Sequence, residues 1–259
     1  MRGVLLDLDG VVYVGDSSVP GAAGVVDWLA REDIPFRFLT NTSSRPRAAI
    51  AAKLSSMGIP ASDDDILTPA VAARSWLQHH SPGRPALFIP AATASEFVEL
   101  DPMPDDAEQG AGAVVVGDLG EAWDFATFNR AFRLLMADSR PTLIALGLTR
   151  YWRADDGLRL DAGAFVRALE YAAGTTAVVM GKPDRAFYET AVGSLGLAAD
   201  HVVMVGDDIR TDVEGAQRAG LTGVLVRTGK FAPADLGADV SPDAVLASIA
   251  ELPDWWTGD

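Results

Sequence analysis

Gly3-Val4-Leu5-Leu6-Asp7-Leu8-Asp9-Gly10 decides the fold. Its opening apolar run has no polar alternation, which marks a strand buried on both faces, the pattern of a parallel sheet covered by helices. The run gives way to an acidic pair and a glycine, so a polar segment follows the carboxyl end of the strand. The same arrangement recurs along the chain. Pro35-Phe36-Arg37-Phe38-Leu39 runs into Thr40-Asn41-Thr42-Ser43-Ser44, Ala177-Val178-Val179-Met180 into Gly181-Lys182-Pro183, and Val202-Val203-Met204-Val205 into Gly206-Asp207-Asp208, with Asp212 close behind. Gly223-Val224-Leu225-Val226 is a further strand. Helical patterns separate these strands, over about 22–30, over 45–57 up to Gly58 and Pro60, and over 185–195 up to Gly196. Thr68-Pro69 opens another helix, with Thr as N-cap and Pro at the first helical position. Thr211-Asp212-Val213-Glu214 has the capping-box pattern of a helix that stops near Gly220. Strands alternating with helices predict an α/β fold with a parallel sheet.

Residues 80–176 read as a unit of their own, with strands over 86–89, 113–116 and 142–145 and helices over 127–136 and 164–172. Tyr151-Trp152-Arg153-Ala154-Asp155-Asp156-Gly157-Leu158 has the pattern of a hairpin with Asp156-Gly157 at its turn. Asp101 to Gly110, rich in Pro and acid, is a loop.

Composition narrows the class. The 259 residues carry 36 acidic and 21 basic side chains, a formal charge of −15, which argues against a nucleic-acid surface and against docking on anionic membranes. With no cysteine, disulfides, thiolate metal sites and a Cys nucleophile are excluded together. No apolar run approaches the roughly 18–20 residues of a membrane span, and the first residues reach Asp7 too soon for a secretory signal. The expectation is a soluble, cytoplasmic protein.

In an open parallel sheet the carboxyl ends of the strands share one edge, so polar clusters far apart in the chain meet there. Asp7, Asp9, Asp207 and Asp208 gathered at that edge repel one another unless a cation or a proton intervenes, and all-oxygen ligation suits magnesium. A magnesium site beside a lysine and a Thr hydroxyl suits a phosphoryl group, whose equatorial oxygens need neutralising. A carboxylate can attack phosphorus and form an aspartyl-phosphate. Asp9 could then act as general acid and base, since alternation along a continuing strand puts it on the same side as Asp7.

Asp7-Leu8-Asp9-Gly10-Val11-Val12, Thr40-Asn41, Gly181-Lys182-Pro183 and Gly206-Asp207-Asp208 with Asp212 resemble, in order, the four motifs of the haloacid dehalogenase superfamily. Phe165 to Tyr171 and Val205 to Gln217 narrow the resemblance to subfamily IIA. That NagD-like branch includes the domain-containing-2 hydrolases and the phospholysine phosphohistidine inorganic pyrophosphate phosphatases. The resemblance covers nearly the whole chain. It implies a discontinuous Rossmann-like core over 1–79 and 177–259, with residues 80–176 inserted as an α/β cap that sets substrate specificity.

It also implies roles. Asp7 resembles the nucleophile, and Asp9 the general acid/base whose carbonyl also touches magnesium. Leu8, Thr40 and Asn41 join Asp7, Asp9 and Lys182 around the phosphoryl group, Lys182 neutralising it. Asp207 resembles the metal ligand beside Asp7 and Asp9, and either Asp208 or Asp212 would act through metal-bound water. True dehalogenases lack the second aspartate, so Asp9 favours a phosphatase. The expected partner is a small phosphorylated metabolite, with no nucleic acid and no membrane, and the resemblance allows a homodimer through the cap.

Two rivals are weighed against this. A receiver-like signalling module also gathers Asp, Thr and Lys around magnesium, but in another order and in about half the length. A non-catalytic or regulatory phosphate-binding scaffold would not need the complete motif set. Other residues take plain structural roles. His79-His80 form a solvated helix end, His201 lies in a loop, Trp255-Trp256 cover a core edge, and Arg150-Tyr151-Trp152 pack within the cap.

Overall fold

The computed structural model describes residues 2–154, 156–237 and 239–258. They form two compact units, the first Met1–Thr40, Arg47–Leu67 and Lys182–Asp259, the second Asn41–Pro46 and Thr68–Gly181. The joints expected after residues 79 and 176 thus fall elsewhere by contact. Helix Pro69–His80 groups with the second unit, where Arg74 reaches the Glu96 carbonyl oxygen (3.4 Å).

The first unit is built on six parallel strands: β1 (Gly3–Asp7), β2 (Phe36–Leu39), β3 (Ile66–Leu67), β4 (Val202–Gly206), β5 (Thr222–Val226) and β6 (Ala244–Leu246). Their order is β6-β5-β4-β1-β2-β3. β1 is therefore central, with Val4 opposite Val203 on one side and Phe36 on the other. Every residue of β1 and β4 is buried, which is why neither shows polar alternation. Helix Ala22–Arg31 lays Ala22, Val25, Val26 and Leu29, one stripe of a 3.6-residue period, onto Val4, Leu6, Phe38 and Val205. Trp255 and Trp256 pack against the same core, Trp256 edge-on to Trp28, as the sequence suggested.

The second unit has its own four-stranded parallel sheet in the order Val178–Val179, Thr142–Ala145, Ala113–Val116, Pro85–Phe88. This corrects one expectation. The strand preceding Lys182 pairs with Ile144 and Ala145 and belongs to this sheet, not to the core sheet. Its two hydrogen-bonded residues are too short to signal which sheet they join. Helices Phe125–Leu135 and Ala162–Ala173 each start two residues before the expected position, because Asp124 and Asp161 supply the N-cap carboxylates. The hairpin Tyr151–Ala154 and Gly157–Leu160 forms as expected, with Gly157 at φ 134°; Asp155 lies outside the described residues. Tyr151 and Trp152 stand about half exposed, at 49% and 43%, rather than packed within the unit as expected, because a two-stranded ribbon buries little of either face. His79, His80 and His201 are exposed, in keeping with plain structural roles. Among the described residues no helix is long and apolar enough to cross a membrane.

Candidate active site

Asp7 is the last residue of β1, the central strand, and Leu39 stands opposite it at the end of β2. Asp207 follows β4 directly, and Asp212 lies on the turn that leaves β4. Three strand ends of one parallel sheet thus deliver Asp7, Thr40 and Asp207 to the same edge, as expected. Carboxylate oxygens of Asp7, Asp207 and Asp212 lie within 4.8 Å of one another, and all three residues are buried.

Lys182 is the one cation built into this cluster among the described residues. Its Nζ donates to Asp7 Oδ1 at 2.6 Å and to Asp212 Oδ1 at 2.7 Å. Both are short, charge-assisted bonds in a dry setting, where such contacts are strong. Burial alone would lower the Lys182 pKa, but the facing Asp212 and Asp7 hold it above the ordinary lysine value. Burial raises Asp7 above the usual carboxylate range, against the lowering influence of Lys182, and the neighbouring Asp207 adds to the rise. Burial likewise pushes Asp212 up to about 6, with Lys182 opposing and Asp7 assisting.

Charge bookkeeping gives the site its character. Three ionised carboxylates and one ammonium sum to −2, buried. A divalent cation would cancel that sum.

Asp207 supports this fit. Its Oδ2 accepts from the Lys230 backbone N–H at 2.7 Å, while Oδ1 is buried with no hydrogen-bond partner among the described residues. A buried carboxylate oxygen without a donor is costly, and a hard cation satisfies it. Burial raises the Asp207 pKa, which also favours a site completed by positive charge. The residues present therefore fit magnesium, with Asp7, Asp207 and Asp212 offering oxygens.

The turn after β4 gives Asp208 and Asp212 different settings. Asp208 caps it, its Oδ1 accepting from the backbone N–H groups of Arg210 (2.9 Å) and Thr211 (3.0 Å). Burial would raise this carboxyl, but those two amides hold its pKa below the ordinary value. The chain then runs through a π-helical turn, Ile209–Glu214, which brings Asp212 back so that its Oδ2 accepts from the Asp208 N–H at 3.1 Å. Tyr188, fully buried, donates its O–H to the carbonyls of Thr211 and Asp212 and secures the turn. So Asp212 reaches the cluster, and Asp208 serves as cap. The expected capping box at Thr211 gives way to this arrangement, since Asp208 reaches the free amides first.

Asp9 departs from expectation. β1 ends at Asp7, and the chain folds at once into a turn in which Leu8 O accepts from Val12 N and Tyr13 N, and Gly10 N donates to Tyr13 O. Gly10, at φ 93°, permits it. No strand continues, so alternation does not place Asp9. Leu8 packs its side chain in the core, while Asp9 is exposed. Thr40 is buried at the end of β2, and its N–H donates to Leu67 O. Asn41 groups with the second unit.

A further loop went unread in the sequence. Thr228-Gly229-Lys230 follows β5, supplies the amide on Asp207, and places Thr228 Oγ1 on the Gly10 carbonyl at 2.5 Å. It is the same signal used elsewhere, a polar, glycine-bearing cluster directly after an apolar strand.

The chain matches the haloacid dehalogenase-like hydrolase family over residues 4–100 and a HAD-hydrolase-like family over 179–252. It is 39% identical to the phospholysine phosphohistidine inorganic pyrophosphate phosphatase of Homo sapiens, over 98% of this chain and 93% of that one. It is 38% identical to haloacid dehalogenase-like hydrolase domain-containing protein 2 of Mus musculus, over 91% and 87%. Among solved structures it is similar to a 4-nitrophenylphosphatase of Thermotoga maritima, with 27% identity, a TM-score of 0.82, and coverage of 98% and 97%.

Proposed function

The chain belongs to the haloacid dehalogenase-like hydrolases, and from that premise we propose that it is a magnesium-dependent phosphatase acting on small phosphorylated metabolites through a phosphorylated Asp7. The observation that carries this is Lys182 Nζ held between Asp7 and Asp212 beside the unpartnered oxygen of Asp207. Relatives named as phosphatases, phospholysine phosphohistidine inorganic pyrophosphate phosphatase and 4-nitrophenylphosphatase, support the reaction class.

When bound, magnesium would be held by Asp7, Asp207 and Asp212, with the Asp9 backbone carbonyl as a further ligand, and would neutralise phosphoryl oxygens and the carboxylates around them. Asp7 is fixed at Oδ1 by Lys182, so one carboxylate oxygen attacks phosphorus as the bond from phosphorus to the leaving oxygen breaks. Lys182 keeps Asp7 ionised in a dry site and offsets the charge that gathers on the phosphoryl group. Asp9, at the exposed mouth of the turn, gives the leaving oxygen a proton. It then takes one from the water that attacks phosphorus, which returns Asp7 to its carboxylate and releases inorganic phosphate. The Thr40 hydroxyl and the Leu8 backbone would bond the phosphoryl oxygens, with Asn41 beside them.

The inserted unit is proposed to select the substrate, and the charge of −15 supports a small metabolite over a nucleic acid. Purified protein stripped with chelator and given an aryl phosphate should turn over only after magnesium is restored. Full turnover in chelator would refute the metal assignment, and no turnover with any divalent cation would refute the activity.

A further inference from the structure

We infer that the loop Thr228-Gly229-Lys230 positions Asp207 for the metal, holding the carboxylate so that Oδ1 alone is presented to the cation. The inference rests on the magnesium reading of the site and concerns residues that none of the four sequence motifs contains.

The two oxygens of Asp207 are not equivalent. Oδ2 takes the Lys230 amide at 2.7 Å, and Oδ1, equally buried, has no partner among the described residues. Close packing fixes the Oδ2 side of the carboxylate, because a side-chain carbon on either Gly10 or Gly229 would fall on Asp207 Oδ2. Both glycines have positive φ, 93° and 62°, and they pack against one another beside Oδ2, so the turn after β1 and the turn after β5 both close on Asp207. Thr228 ties the two turns together by donating from Oγ1 to the Gly10 carbonyl at 2.5 Å. The loop is anchored in turn at Arg227, whose N–H donates to Leu246 O in β6 (3.0 Å). Lys230 acts through its amide. Its side chain is exposed, with Nζ 3.9 Å from Asp208 Oδ2.

A loop of this kind fixes a ligand's orientation before the metal arrives, and losing such support typically weakens metal binding about 10–100-fold. Chelator-stripped protein is titrated with magnesium in a calorimeter, with near-ultraviolet circular dichroism and thermal unfolding in chelator as checks of the fold. Thr228→Val and Gly229→Ala should weaken magnesium about 10–100-fold, and Thr228→Ser should restore the wild-type constant. In the aryl phosphatase assay the loss should appear in the magnesium concentration required, with kcat recovering at saturating magnesium, which a general loss of structure would not do. If Gly229→Ala fails to fold, Thr228→Val decides alone. Wild-type magnesium affinity in a folded Thr228→Val overturns the inference while leaving the phosphatase reading intact. No magnesium binding by the wild type overturns the reading beneath it.

Discussion

Replacing Lys182 with Met keeps most of the side chain's volume and removes its charge. In the structure this deletes two charge-assisted hydrogen bonds, 2.6 Å to Asp7 and 2.7 Å to Asp212. It also takes the buried cluster from −2 to −3. Hydrogen bonds to charged groups are worth about 1.5–3 kcal/mol each, so the pair sets a loss of roughly 3–6 kcal/mol. If that loss falls on the transition state, kcat/KM drops about 10²–10⁴-fold at 1.36 kcal/mol per decade. Stability responds too, since removing one partner of a buried ion pair costs about 3–5 kcal/mol. The assay is aryl phosphate hydrolysis at saturating magnesium, with thermal unfolding measured beside it. Met at 182 should leave a folded protein whose melting temperature in chelator recovers on acidification, as Asp7 and Asp212 take up the protons that replace the lost ammonium. A Lys182→Met enzyme within about tenfold of wild type would refute the placement of Lys182 in the reaction.

Asp9→Asn should slow alkyl phosphates more than aryl phosphates, because only the poorer leaving group needs its proton; equal losses would sink the acid role. Asp208→Ala should lower stability by about 1 kcal/mol as a lost cap and leave magnesium affinity close to wild type in calorimetry; a loss of affinity as large as that of Asp207→Ala would move Asp208 into the metal site. The folded pKa of Asp212 is raised to about 6, so in metal-free protein its stabilising contribution is complete below the unfolded carboxyl value and lost as pH rises through about 6. Magnesium should therefore raise the melting temperature more at pH 7.5 than at pH 5, and a larger rise at pH 5 would contradict the sign. Asp208, held below its ordinary value by the Thr211 and Arg210 amides, contributes in the opposite sense and only at more acid pH.

The core was legible where burial leaves a strong trace in composition. β1, β4 and β5 show uninterrupted apolar runs because both faces of each are covered, and Thr68-Pro69 caps its helix as written, Thr68 Oγ1 accepting from Val71 N at 3.3 Å. Asp7, Lys182 and Asp207 were legible because carboxylates and a lysine at strand ends have little structural reason to be there. What stayed hidden depends on local backbone geometry. Gly10 turns the chain before a strand could carry Asp9 alongside Asp7. Two neighbouring aspartates compete for the free amides after β4, and only the π-helical turn decides that Asp208 caps and Asp212 returns to Lys182. Val178–Val179 carries no mark of the sheet it joins. The loop at Thr228 looks like an ordinary exit from a strand until Asp207 is seen to lean on it.

The central claim is that Asp7 becomes phosphorylated, and the most direct measurement is the mass of the protein stopped in mid-reaction. Asp9→Asn is mixed with magnesium and an aryl phosphate, quenched in acid, weighed intact and then digested to locate the modification. A phosphoryl increment on the peptide holding Asp7, absent from Asp7→Asn under the same conditions, is the predicted result. An increment that survives in Asp7→Asn, or one that maps to another residue, would contradict it.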